Sequence, residues 1–192
     1  MGKLVLFMHT SLDGFAAGKK GEMNWIHVDQ EIFDFAEERI TKTNTALYGR
    51  VTFQMMESYW PTAADKPGAS KHDREHAAWY KNAHKAVLSN TLNQAALANT
   101  TVIGGRDYAA AVRKLKEKTA GEILLFGSPT ATHALLAEDL IDECWLFVNP
   151  VLLGEGIPVF KGIKEKQPLK FLKTHVFSSG VVCLHYEVQR EG

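Results

Sequence analysis

Four points in this chain set a glycine or a run of small polar residues directly after a buried-looking strand, and each has the chemistry to meet a phosphate. The fullest is Gly49-Arg50-Val51-Thr52, which follows Ala46-Leu47-Tyr48. A glycine lets the backbone pass close to a ligand, and a new helix offers free N–H groups to an anion. Thr52 adds a hydroxyl and Arg50 a planar, bidentate charge. The alternative is a plain helix start with a solvated arginine. In the second, Val87-Leu88-Ser89-Asn90-Thr91, the strand closes on Leu88 and three small polar side chains follow. Ser89 and Asn90 could bind a phosphate or a ribose, or form only a turn. The third, Gly104-Gly105-Arg106, repeats the pattern more weakly, with Gly105 at the approach of the next helix. In the fourth, Phe126-Gly127-Ser128-Pro129-Thr130, the chain bends at Gly127, and Ser128 or Thr130 could bond a diphosphate or cap the helix. Ligands of open α/β sheets bind beyond the carboxyl ends of the strands, so four such breaks together fit a long polyanionic cofactor.

The elements that must hold these breaks are readable from periodicity. Residues 3–9 read as a buried strand and 13–22 as a glycine-rich loop. A helix should start at Asp29, with Ile32, Phe33, Ala36 and Ile40 on its inner face and Glu31, Glu37 and Glu38 toward solvent. Strand 45–48 leads into a second helix carrying Phe53, Met55 and Met56, and a charged, proline-containing segment, 60–75, into a helix at 76–80. Strands at 85–89 and 101–103 precede a helix from Asp107 with Tyr108, Val112 and Leu115 on one face; then come strand 122–126, helix 129–138 and strand 143–149. Alternating strands and helices predict parallel neighbours covered by helices. The last third departs from that alternation, because 169–177 and 181–188 flank Ser178-Ser179-Gly180 as an antiparallel hairpin. The sheet should therefore be mixed.

The 192 residues suit a single domain, 1–192, and 45% hydrophobic with 23% charged residues is ordinary globular usage. Lys plus Arg equals Asp plus Glu at 22 each, so no basic field draws nucleic acid or an anionic membrane. Residues 4–8 are too short an apolar run for a signal peptide, and the chain is expected in the cytoplasm. Cys144 and Cys183 lie in apolar runs without CxxC spacing and read as two buried thiols.

In order and spacing, Ser11-Leu12-Asp13-Gly14-Phe15, Asn24-Trp25, Leu47 to Thr52, and Pro150-Val151-Leu152-Leu153-Gly154-Glu155-Gly156 resemble the dihydrofolate reductase superfamily. Within it the chain is most similar to the reductase domain of the bifunctional riboflavin-biosynthesis deaminase/reductase, over residues 3–188. The resemblance implies a dihydrofolate reductase-like three-layer α/β/α sandwich around a central mixed sheet, NADPH as hydride donor, and a homodimer. It puts Arg50 on the ribose 2′-phosphate with Ser89 and Asn90 beside it, and Thr52 and the Gly127–Thr130 turn on the diphosphate. Asp13 would lie near the nicotinamide or its ribose; Ser11 and Trp25 would face substrate; Asp13 and Asp29 are the proton-relay candidates, although Asp29 equally suits a helix cap. Glu155 could reach a substrate hydroxyl, but as a turn residue it needs no such role. Two departures stand out. Dihydrofolate reductases have consecutive glycines at the fourth break, where this chain has Gly127-Ser128-Pro129, and the zinc-binding deaminase half is absent.

The implied activity is NADPH-dependent reduction of a small heterocyclic substrate, resembling 5-amino-6-(5-phosphoribosylamino)uracil reductase. A dihydrofolate or pteridine reductase is the alternative, and a non-catalytic NADPH-binding or dimerisation module is the rival of another class. His72 and His76 have the spacing of a helical metal pair, yet no HExxH order accompanies them and their segment is highly charged, so they read as a solvated face and no metal is expected. GxSxG is missing, which removes the local sign of a serine hydrolase.

Overall fold

The computed structural model describes residues 1–93 and 97–190. The chain falls into two compact units: a terminal unit from residues 3–27 and 125 onward, and a central unit from 28–124 with residues 1–2. In chain order the terminal unit opens with β1 (Lys3–Ser11) and β2 (Phe15–Ala17). The central unit follows with α1 (Gln30–Ile40), β3 (Thr45–Gly49), α2 (Arg50–Ala63), α3 (Lys71–Asn82), β4 (His84–Leu88), β5 (Thr100–Ile103) and α4 (Tyr108–Lys118). Strand β6 (Glu122–Phe126) carries the chain back, and α5 (Pro129–Ala137), β7 (Glu143–Asn149), β8 (Ile157–Pro158), β9 (Leu169–Val176) and β10 (Val182–Val188) complete the terminal unit. The result is a mixed α/β fold with a mixed sheet and five helices among the described residues.

In the central unit β3 pairs with β4 and β4 with β5, all parallel. Ala46, Leu47, Tyr48, Ala86 and Val87 are buried to the last few per cent, as strands covered on both faces require. In the terminal unit β1 pairs in parallel with β7, whose other side takes β10 and then β9, both antiparallel. The expected C-terminal hairpin is there. A bulge between His185 and Tyr186 interrupts its alternation, so Cys183 and Val188 are the buried pair on β10.

Several expectations need correction. The 13–22 loop contains a strand, because β2 pairs antiparallel with β8. Segment 60–75 is mostly helical: α2 runs to Ala63 and α3 begins at Lys71. Its start signal was a capping box, in which Ser70 accepts from the Asp73 N–H and the Asp73 carboxylate accepts from the Ser70 N–H. Glu37 does not face solvent but is buried on α1 beside Ile32, Ala36 and Ile40. The His72–His76 face is likewise turned inward, with side chains 11% and 7% exposed. On α4 the buried face is Ala109, Val112 and Lys116 rather than Tyr108 and Leu115, and on α2 Met55 is exposed. Both cysteines are buried and free. No helix among the described residues is long and apolar enough to cross a membrane.

Candidate functional site

The parallel register of the central unit places three strand ends side by side: Gly49 is opposite Leu88, and Leu88 opposite Ile103. The first three breaks therefore form one continuous edge. Gly49 caps α2 with φ −79°, which any residue can adopt, so its glycine is not demanded by the turn itself. The helix it starts has no side-chain cap and no acidic residue in its first turn. Its first N–H groups and the positive end of the helix dipole are therefore not neutralised by a side chain of that turn. Arg50, the first helical residue, is exposed and among the described residues donates only to the neutral Gln54 Oε1, 3.0 Å away. Among the described residues neither Arg50 nor Arg106 pairs with a carboxylate. Thr52, half-buried in the same turn, keeps its hydroxyl free of hydrogen bonds to described residues.

The second and third breaks are stitched together. Ser89 Oγ accepts from the N–H groups of Thr91 and Leu92, which leaves its proton to donate. Asn90 Oδ1 accepts from the Gly105 N–H at 2.7 Å, which leaves its amide N–H groups to donate. Gly105 has φ +79°, and a Cβ on Gly104 would sit 2.5 Å from the Ser89 carbonyl. Both glycines are thus required, one by conformation and one by close approach. Leu88 is half-buried and contributes backbone and packing alone.

In the terminal unit the fourth break bends through two successive left-handed residues, Gly127 at φ +51° and Ser128 at φ +60°. Ser128 thus keeps the backbone that a second glycine would favour, at a conformational cost of about 1–2 kcal/mol. Its hydroxyl does not point to a ligand: it is buried and donates to the Phe126 carbonyl. Thr130 is exposed in the first turn of α5, a helix that also lacks a side-chain cap and an early acid.

Two motifs separate in sequence prove to be one construction. The Asp13 carboxylate accepts from Ser11 Oγ at 2.7 Å, from the Gly154 N–H at 2.7 Å and from the Leu153 N–H. Hydrogen bonds from the Ser11 hydroxyl and these N–H groups outweigh desolvation and hold its pKa below the usual carboxylate range. Ser11 is 1% exposed and also accepts from the Phe15 N–H, so it braces the turn. Leu12 N–H donates to Val151, and Val159 N–H to Gly14. A Cβ at Gly156 would meet the Ala17 carbonyl at 2.3 Å, which ties that glycine to the β2–β8 contact. Glu155 is solvent-exposed and ion-paired with Lys19. Trp25 is half-buried and donates through Nε1 to the Glu22 carbonyl. In the central unit Asp29 is the cap of α1, accepting from the Ile32 N–H at 2.9 Å.

Two groups not singled out from sequence sit at the ends of β1 and β7. Burial pushes the His9 imidazole down to about 4, so it is neutral near pH 7, and it stacks on Phe147 with centroids 4.9 Å apart. Asn149, 1% exposed, accepts from the His27 N–H and donates to the Thr10 and Phe147 carbonyls, fixing the 27 loop to the strand ends. The sign of Asn149 was its place just before Pro150 at the end of a buried strand.

Known proteins share this architecture. The uncharacterized protein YyaP of Bacillus subtilis strain 168 is 33% identical over 96% of this chain and 94% of its own. A Shewanella sp. PV-4 protein named in connection with riboflavin biosynthesis superposes with a TM-score of 0.69 at 24% identity, over 99% of this chain and 100% of that one. The Thermotoga maritima diaminohydroxyphosphoribosylaminopyrimidine deaminase/5-amino-6-(5-phosphoribosylamino)uracil reductase gives a TM-score of 0.66 at 16% identity, over 98% of this chain and 57% of that longer one. Dihydrofolate reductase from Enterococcus faecalis, in a complex with NADP(H), gives 0.60 at 19% identity over 97% and 95%. At such identities the structures share a fold, the dihydrofolate reductase-like fold expected from the motifs. The family model for the RibD C-terminal domain matches residues 2–183, a span that takes in all four strand-end breaks and the interlocked Asp13 and Gly154 turns, and the chain belongs to that family.

Proposed function

We propose that the protein is a cytoplasmic, homodimeric oxidoreductase that uses NADPH to reduce a small heterocyclic substrate of the phosphoribosylaminopyrimidine class. The observation that carries this reading is the central unit's edge, where the ends of β3, β4 and β5 align Arg50, Ser89 and Asn90 without an ion pair from Arg50 to any carboxylate among the described residues. A 2′-phosphate needs that chemistry: one guanidinium for a bidentate bond, small donors beside it and the uncapped start of α2. Thr52, in the first turn of α2, supplies a donor of the kind a diphosphate takes.

Bound NADPH supplies a hydride to an electrophilic carbon of the substrate. The chain's own part is to hold the reacting groups and to exclude misplaced water. Asp13 is held by the Ser11 hydroxyl and the Leu153 and Gly154 N–H groups, so its work is to fix the 11–14 and 151–154 turns, and the proton for the product comes from solvent. Asp29 is engaged as a cap and acts by placing α1. The family membership favours the aminopyrimidine over a pteridine. The apolar, exposed side chains of β9, among them Phe171 at 56% and Val176 at 66% exposure, give the homodimer a surface to bury. Sedimentation equilibrium returning the monomer mass at micromolar concentration would remove the dimer from the proposal.

The cofactor assignment is tested by nicotinamide fluorescence titration with NADPH and NADH. Wild type should prefer NADPH, and Arg50→Gln should erase most of that preference, a loss of about 10- to 100-fold from a charge-assisted bond worth roughly 1.5–3 kcal/mol. Equal affinity of wild type for the two nucleotides would overturn it. NADPH oxidation followed by absorbance with the aminopyrimidine and with dihydrofolate then separates the two substrate classes.

A further inference from the structure

His72 and His76 stand one helical turn apart on α3, and Glu37 faces them from α1. His76 Nδ1 lies 3.2 Å from Glu37 Oε2, and His72 Nδ1 lies 3.8 Å from the same oxygen. Ligand-capable atoms of all three residues fall within 4.8 Å of one another. The side chains of Glu37 and His76 are each 7% exposed. Phe33 stacks on His72 with centroids 3.8 Å apart, and Trp60 covers His76 at 4.1 Å.

Hydrogen bonding alone leaves this cluster incomplete. Glu37 Oε1 and His72 Nδ1 are buried with no hydrogen-bond partner among the described residues, and 3.8 Å is too long for a bond from His72 to Glu37. Two buried polar atoms left unpaired in an apolar pocket cost free energy, and a cation held between the carboxylate and the imidazoles would satisfy both. A tetrahedral zinc ion with bonds of about 2.0–2.1 Å sets its ligand atoms roughly 3.3–3.4 Å apart, and the observed 3.2 and 3.8 Å bracket that spacing.

We propose that Glu37, His72 and His76 form a site for one divalent transition-metal ion of the zinc class, with a fourth position for water. Two imidazoles and a single carboxylate discriminate against magnesium and calcium, which take all-oxygen shells. Glu37 lines a cavity of about 650 Å³ on whose walls Asp34, Glu38 and Glu75 outnumber Lys71, which gives a cation an approach to Glu37. The bound ion ties α1 to α3 by a link independent of the strand-end edge.

The test uses the full chain, stripped with chelator and dialysed. Titration with Zn²⁺ by calorimetry should show one ion per chain, and Co²⁺ should develop the visible absorption of a tetrahedral site, while Mg²⁺ gives neither. Glu37→Gln and His76→Gln should each weaken Zn²⁺ binding by about 100-fold, at least as much as loss of an outer-sphere partner. His84→Gln, outside the cluster, should bind as wild type, and far-UV circular dichroism of the unligated variants confirms that they are folded. Absence of saturable Zn²⁺ binding in wild type, or equal affinity in folded Glu37→Gln, overturns the proposal.

Discussion

Glu143 shows how a single side chain can couple the fold to pH. Burial alone would raise its pKa. Hydrogen bonds from His185 at 2.6 Å and Lys3 at 2.7 Å outweigh burial and hold it at about 2, against an ordinary 4.5. A depressed pKa means that the carboxylate's contribution is complete above about pH 4.5 and is lost as pH falls toward 2. We therefore expect Glu143→Gln to cost on the order of 2 kcal/mol at pH 7, with the gap from wild type closing below pH 4.5 in urea titrations. A gap that stays constant down to pH 2 would disprove the linkage. At this scale the sequence is read best where a side chain acts on its own backbone neighbourhood: Asp29 as cap followed from its position before an apolar period. Glu37 was misread because charge in a helix is normally solvent-facing, and only residues 35 and 39 places later along the chain give it a reason to be buried. Ser128 was ambiguous because hydroxyl direction depends on a left-handed backbone that composition does not reveal.

Elements were legible in proportion to their periodicity and length. Strands β6 and β7 and the C-terminal hairpin lie within a residue or so of where alternation and apolar runs put them. The three-residue β2 and two-residue β8 carry no period of their own and exist because they pair with each other. The strand-end edge was legible as separate turns but not as one surface, since register is a property of paired strands. Its weakest point is Gly104. Replacing it with alanine puts a methyl 2.5 Å from the Ser89 carbonyl, where only backbone can give way. Gly104→Ala should therefore cost about 1–3 kcal/mol in thermal or urea unfolding and weaken NADPH binding with it, as Ser89 and Asn90 are pushed from line. A variant with unchanged NADPH affinity despite that destabilisation would show that the Ser89-Asn90 segment does not touch the cofactor.

For the molecule as a whole, composition and charge gave only a folded chain without a field for nucleic acid. Its division into units was invisible to composition, because none of the junctions, at 2/3, 27/28 and 124/125, carries a linker-like run of proline, glycine or serine. The arrangement is nevertheless simple: apart from its first two residues, the central unit is one uninterrupted stretch, while the terminal unit is assembled from both ends of the chain. Val5 of β1 must find Glu143 of β7, across the entire intervening sequence. Contacts that close so long a loop form late, and those within one stretch form early. During synthesis β1 leaves the ribosome long before its partner exists, with Leu4, Val5 and Leu6 still in need of cover. Pulse-labelling hydrogen exchange during refolding should accordingly protect amides of β3 and β4 before those shared by β1 and β7, and simultaneous protection would contradict this order. The Asp13 clamp on Leu153 and Gly154 spans the same gap, so the 11–14 and 151–154 turns should be among the last parts of the protein to acquire their shape.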